Sequence, residues 1–338
     1  MKLIKISLLI FISILFSISI IEIILSNLFP QPRSDSWRVQ NANGVYYNAN
    51  NISARHEYFG KKEKISVNYK FGDNHNRIYS GIELKKGNNN ILVIGDSIIF
   101  GWLLKDEDTF VYKLQKNFMD YNFINASAGG FSDSDGSIYI EEFCNLIKPK
   151  KIIFFLEVDR IFYNTLYTLD QNMNLVEGKV SINKLKKKLN DSVLYYFANK
   201  THIFQLLKKT YIKFSSKTFI NHPQKSINTS DKNSTNKIEN KFILAKKIYT
   251  KIIKNVEKCG SEVIFVNLAW SKDTQLSEVK KKVIKEFPKI ARNSKRSNFI
   301  NLDKELKIIR DKRENYFLEE GHPNTDANEI IYQLLKVK

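Results

Sequence analysis

The sequence predicts an α/β protein: a doubly wound, parallel central sheet of about five strands behind an N-terminal transmembrane helix. Three observations predict it. From residue 90 onward, short continuous apolar runs alternate with segments of helical periodicity. The first of these runs, Ile91–Ile94, breaks at Gly95-Asp96-Ser97, which presents a serine where a sheet strand ends. Ahead of all this, residues 6–29 are almost wholly apolar and of bilayer length.

Length and composition set the bounds. The chain has 338 residues and a hydrophobic content of 43 %, enough for a sizeable core in one domain with extra segments, or in two small ones. It is basic, with 54 Lys+Arg against 35 Asp+Glu, and the lysines are spread over many segments. No nucleic-acid motif and no zinc-like Cys/His spacing occurs, so neither nucleic acid nor a metal is expected as a partner. Attraction to an anionic membrane surface or an acidic polymer fits the charge without being required by it. The two cysteines, Cys144 and Cys259, make no disulfide framework. Each falls near a helix end before a strand, and both are expected buried and free. A single bridge is the alternative if they lie outside the cytoplasm.

Residues 1–5 carry Lys2 and Lys5 and read as a cytoplasmic N-terminus. Residues 6–29 would span about 36 Å as a helix at about 1.5 Å per residue, against a bilayer core of about 30 Å. Glu22 then falls towards the far interface, where a carboxylate costs less than at the centre. The stretch is longer than a signal-peptide core and no A-x-A-like cleavage site follows it, so an uncleaved anchor is expected over a cleaved signal peptide, with the remainder outside the cytoplasm. Arg33 and Arg38 weaken that charge asymmetry. Residues 30–87 are polar and aromatic, with short strands expected at Val45–Tyr47 and Ile65–Tyr69, and read as a juxtamembrane stalk packing on the domain.

The domain proper is expected over 88–338. Its strands are Ile91–Ile94, Asn122–Asn125, Ile152–Leu156, Glu262–Leu268 and Phe299–Leu302. Its helices are Asp106–Met119, Asp133–Ile147, Lys241–Lys258 (stopping at Gly260) and Thr325–Leu335. Residues 165–240 interrupt the alternation. Ile182–Phe214 reads as one or two basic helices, a solvated cap or a lid, and Ser215–Glu239 as a flexible loop.

Three pieces carry chemistry. Gly95-Asp96-Ser97, with Gly101 just after, presents a serine at a strand end. Asn125-Ala-Ser-Ala-Gly-Gly-Phe-Ser132 is a glycine turn after the second strand that can expose a backbone N–H to an oxyanion. Glu319-Glu-Gly-His-Pro-Asn324 puts His322 in a polar turn before the last helix. A serine nucleophile needs a base, and the base needs an acid to orient it. Glu319, three residues before His322, can share that turn.

With these residues in view, the chain resembles the GDSL/SGNH hydrolase family over about residues 88–338. Gly95-Asp96-Ser97 with Gly101 matches the family's first block, Gly130 its second-block glycine, and His322-Pro323-Asn324 its final block. The resemblance implies a three-layer α/β/α flavodoxin-like fold, Ser97 as nucleophile, His322 as base, Glu319 as the acid, and oxyanion donors at Ser97 and Gly130. Two departures stand out. The family usually ends its central strand in Gly-x-Asn-Asp, with the Asn donating to the oxyanion. Here Glu157 takes the place of that Gly and Asp159 that of the donor, and an ionised Asp cannot donate. The family's acid is usually Asp, where this chain has Glu319. By the same resemblance the expected activity is that of an esterase or O-acyltransferase on acyl, chiefly acetyl, esters of extracytoplasmic carbohydrate, without metal or organic cofactor. Polysaccharide-biosynthesis proteins are the implied partners. A lipid-directed esterase or thioesterase, and a non-catalytic SGNH-fold component of polysaccharide export, are the alternatives.

Overall fold

Strand β1, Asn89–Ile94, shows why this sequence makes layers. Its residues alternate between two separate apolar clusters: Leu92 and Ile94 belong to one, Ile91 and Val93 to the other. A strand that is apolar on both faces has to be covered on both. In the computed structural model, which describes residues 2–41, 44–85, 89–162, 166–178, 192–219, 232–268 and 277–336, helices supply that cover.

The chain divides into two compact units. The larger is drawn from Trp37–Ser53, Asn68–Ile182 and Thr229–Lys338. After β1 it runs through α1 (Ser97–Phe100), α2 (Phe110–Asn117), β2 (Tyr121–Asn125), α3 (Asp133–Ile147) and β3 (Lys151–Phe155). It continues through α4 (Lys232–Lys258), β4 (Glu262–Asn267), α5 (Glu278–Ala291), β5 (Ser297–Asn301) and α6 (Thr325–Leu335). The five labelled strands are parallel and ordered β2-β1-β3-β4-β5, the flavodoxin-like order. Register is set by apolar pairs such as Leu92 with Ile124 and with Ile152, and Val266 with Ile300. Helices α3, α4 and α5 cover one face through Ile138, Ile248 and Val283. Helices α2 and α6 cover the other through Phe110, Leu114 and Ile331. The three-layer α/β/α fold is therefore present.

The sheet is larger than the five strands expected. Beyond β2 it continues antiparallel through Arg77–Ile78 and Lys70–Phe71, both from the region read as a stalk. Helix α4 begins at Lys232, so part of the loop expected over 215–239 is helical; residues 220–231 lie outside the described residues. Helix α5 was not anticipated. Cys144 and Cys259, expected free, are joined in a disulfide that ties the end of α3 to the end of α4. Both helices end beside neighbouring strands, which brings the two Cα atoms to 6.1 Å, inside bridging range.

The smaller unit is drawn from Met1–Ser36, Ala54–Val67 and Asn183–Asn228. It holds a helix over Lys2–Leu28, of which Ile4–Leu28 is long and apolar enough to cross a membrane. Glu22, the one acidic residue in that helix, accepts the His202 and Ile203 N–H groups at 2.7 and 3.0 Å. A carboxylate there satisfies the orphan donors that open helix His202–Phe219.

Candidate active site

The site is built at the carboxyl ends of β1 and β3, where the strand order reverses and an open sheet leaves a crevice. Residue Gly95 lets β1 turn sharply into α1. A Cβ there would lie 2.3 Å from Ile99 Cγ1, so no other residue fits without moving the helix. Asp96 caps α1, its carboxylate accepting from Ile98 N–H at 2.9 Å. That leaves Ser97 as the first helical residue, 7 % exposed. Its N–H has no acceptor inside so short a helix, and among the described residues it donates to nothing.

Arg77, fully buried, braces the turn that follows. Its guanidinium donates to the carbonyls of Phe100, Gly101 and Leu104 and pairs with Asp106 at 2.8 Å. This residue fixes the chain just past α1, the helix that carries Ser97, and it was missed by reading its region as a stalk. An isolated arginine between Asn76 and Ile78 carries no sequence signal for such a role.

The second strand end is tied directly to the first. The N–H of Ala126 donates to the Val93 carbonyl, and that of Ala128 to the Gly95 carbonyl at 3.2 Å. Ala128–Phe131 then closes a turn, Phe131 N–H to Ala128 C=O at 3.1 Å, in which Gly130 has φ 81°. Only glycine takes that conformation without strain. Gly130 is exposed, and among the described residues its N–H makes no hydrogen bond. Ser132 and Asp135 form a reciprocal capping box that starts α3 immediately afterwards.

His322 reaches Ser97 from the C-terminal turn. Phe317 pairs with Pro323, Leu318 N–H donates to the His322 carbonyl, and Asn324 caps α6. Held this way, His322 Nε2 lies 2.8 Å from Ser97 Oγ. Its Nδ1 lies 2.5 Å from Glu320 Oε2. An ionised carboxylate at Nδ1 requires Nδ1 to carry the proton, which leaves Nε2 of the neutral ring to accept from the serine hydroxyl. The Trp102 ring lies over the imidazole, centroids 5.8 Å apart and planes 28° from parallel.

The acid differs from the expectation. Glu319 was expected at His322, and Glu320 is the carboxylate at Nδ1. The reason is the tightness of the turn: Gly321 N–H returns to the Leu318 carbonyl, so the corner residue two before the histidine, rather than three, faces the ring. Asp159, expected at the oxyanion, instead accepts the Ser277 hydroxyl that caps α5. From that same strand end the side chain that points to the Gly95-Asp96-Ser97 turn is Arg160, 3.5 Å from Asp96. Arg160 was not singled out from the sequence.

Behind Asp96 lies a carboxylate cluster. Asp133 accepts from the Glu157 N–H at 2.7 Å and from the Tyr249 hydroxyl at 2.5 Å. Burial pushes the Asp133 carboxyl up to about 7. Burial and the nearby Asp96 carboxylate push Glu157 up to about 8. Burial likewise raises Asp96, opposed by the Arg160 charge. Among the described residues no group of three His, Cys, Asp or Glu side chains is placed to hold a metal ion.

No protein-family model matches the chain, and no curated protein matches it in sequence. Solved structures do. The solved structures this chain resembles include esterases and lipolytic proteins of the GDSL/SGNH family. Esterase EstA from a Pseudoalteromonas species has a TM-score of 0.44 at 12 % identity, covering 74 % of this chain and 96 % of its own. The acetyl xylan esterase AlAXEase has a TM-score of 0.42 at 13 % identity, over 73 % of this chain and 98 % of its own. A lipolytic protein of the G-D-S-L family from Veillonella parvula has 0.40 at 14 %, over 73 % and 97 %. Likeness at this level assigns neither substrate nor residue roles.

Proposed function

We propose that the chain is a membrane-anchored serine esterase of the GDSL/SGNH type, acting on acyl esters of extracytoplasmic carbohydrate. The observation that carries the reading is the continuous line Ser97 Oγ, His322 Nε2, His322 Nδ1, Glu320 Oε2, with contacts of 2.8 and 2.5 Å. Such a line has the three parts an activated hydroxyl needs: nucleophile, base and orienting acid.

The chemistry follows from those atoms. His322 Nε2 takes the Ser97 hydroxyl proton as Oγ attacks the ester carbonyl. The unpartnered N–H groups of Ser97 and Gly130 donate to the oxyanion that forms. Glu320 holds the Nδ1 proton in place and stabilises the imidazolium. As the intermediate collapses, His322 returns the proton to the leaving alkoxide, and the acyl group stays on Ser97. Water, activated by the same imidazole, then releases it as the carboxylic acid. A sugar hydroxyl in place of water would make the reaction an O-acyl transfer.

The location rests on two further supports. The apolar N-terminal helix has bilayer length. The Cys144–Cys259 bridge belongs to an oxidising compartment. The carbohydrate substrate is carried over from the family resemblance. The test is hydrolysis of p-nitrophenyl acetate by the full-length chain in detergent. Turnover that Ser97→Ala abolishes supports the reading; an unchanged rate in Ser97→Ala contradicts it. Acyl chain length, varied in the same assay, distinguishes acetyl esters from long-chain lipid esters.

A further inference from the structure

Two guanidinium groups converge beside the proposed oxyanion donor, and the reaction described above uses neither. A Cβ built on Gly130 would lie 3.5 Å from Arg38 Nη2 and 3.8 Å from Arg160 Nη1. Both positions are built rather than incidental. Arg38 lies on the hairpin Arg38–Gln40/Tyr46–Asn48, its guanidinium 4.9 Å over the Tyr46 ring. That hairpin is fastened to the Gly130 loop by Asn48, whose side-chain amide donates to the Ser127 carbonyl at 3.0 Å. It is fastened to the nucleophile side by Trp37, whose ring meets that of Trp102 at 5.7 Å. Arg160 comes from the end of β3.

Neither charge is held in a short ion pair among the described residues: Arg38 feels the Asp135 carboxylate and the repelling Arg160 charge at longer range. Among the described residues neither guanidinium makes a side-chain hydrogen bond. Arg160 meets Asp96 and Glu157 only at 3.5 and 3.8 Å. Burial and the nearby Asp96 carboxylate raise the Glu157 carboxyl, which weakens its offset of that charge. Two like charges brought together with donors unused favour an anion between them.

We propose that Arg38 and Arg160 form an anion subsite beside Ser97, so that the substrate is an O-acylated sugar bearing a carboxylate or phosphate close to the scissile ester. This rests on the esterase reading and deepens it. Planar guanidinium forks suit both anions, and the neutral sugar ester lacking the group leaves them unpaired.

Binding separates the subsite from the catalysis. The probes are three O-acetylated disaccharides that differ at one carbon: a carboxylate, a phosphate ester or a plain hydroxymethyl. Calorimetry on the full-length Ser97→Ala chain in detergent should show an anionic probe bound about tenfold tighter than the neutral one. The better of the two anions identifies the group. The advantage should shrink as salt rises from about 50 to about 500 mM, as the Debye length shortens. It should fall to threefold or less in Arg38→Gln and in Arg160→Gln. Equal binding of all three probes, or an advantage that survives both substitutions, overturns the subsite. With Ser97 intact, the ratio of kcat/KM for the anionic over the neutral ester should fall in parallel. If both substitutions instead lower kcat equally on all three esters, the arginines serve the oxyanion and the subsite is wrong. If anionic probes bind selectively but no ester is turned over, the esterase reading fails and the subsite stands.

Discussion

The carboxylate at Nδ1 of His322 is that of Glu320, two residues before the ring, where the sequence pointed to the adjacent Glu319. A one-residue difference at a tight turn decides which carboxylate fixes the histidine tautomer. Glu320→Gln should therefore lower kcat by about 100-fold or more, because the amide can present the wrong group to Nδ1. Glu319→Gln should cost far less, and ester hydrolysis by the two purified variants checks the difference. Arg77 makes a second residue-scale claim. Its removal would strand Asp106 and three buried carbonyls, a loss of about 3–5 kcal/mol by the rule for broken buried pairs. Urea unfolding of Arg77→Met should show a lower midpoint, with the unfolding free energy reduced by about 3–5 kcal/mol. A midpoint within error of the wild type would show that the turn after α1 stands without it.

The element scale is set by how α3, α4 and α5 meet the end of β3. The Asp133 carboxyl at the start of α3 joins Tyr249 of α4 and the Glu157 backbone, and Lys280 of α5 adds its charge. Asp133 and Glu157 hold their protons to about pH 7 and 8, well above the range in an unfolded chain. Between that range and about pH 8 the folded state binds more protons than the unfolded state. The stability these groups contribute is thus full at low pH and is lost as pH rises through about 8. Thermal midpoints taken from pH 5 to pH 8 should show this fall, and Glu157→Gln should flatten it. An identical slope in the variant would remove the cluster from the account. The same elements show what the sequence reveals. The apolar runs of the parallel strands and the spans of α3 and α6 were legible, since continuous burial and helical periodicity are local signals. Helix α5 was not. Val279, Val283, Phe287 and Ile290 have helical spacing, but five lysines and an internal proline mask it. Ser97, Gly130 and His322 were legible because each sits in a short motif. Arg38, Arg77 and Arg160 were not, since each acts on residues distant in sequence.

Across the larger unit, the Cys144–Cys259 bridge closes a loop of 115 residues between two helices on one face of the sheet. Opening it frees that loop in the unfolded chain and should cost about 2–5 kcal/mol. Urea midpoints with and without dithiothreitol, repeated on Cys259→Ser, check this. Sequence reasoning left the pair free because it could place each cysteine at a helix end but could not bring the two helix ends together. The central claim for the whole molecule is that Ser97 is an activated nucleophile. Mass spectrometry of the full-length chain after treatment with a fluorophosphonate tests it most directly. One adduct, on Ser97, lost in His322→Ala, is the predicted result. A chain that remains unlabelled at Ser97, or is labelled there equally without His322, would contradict it.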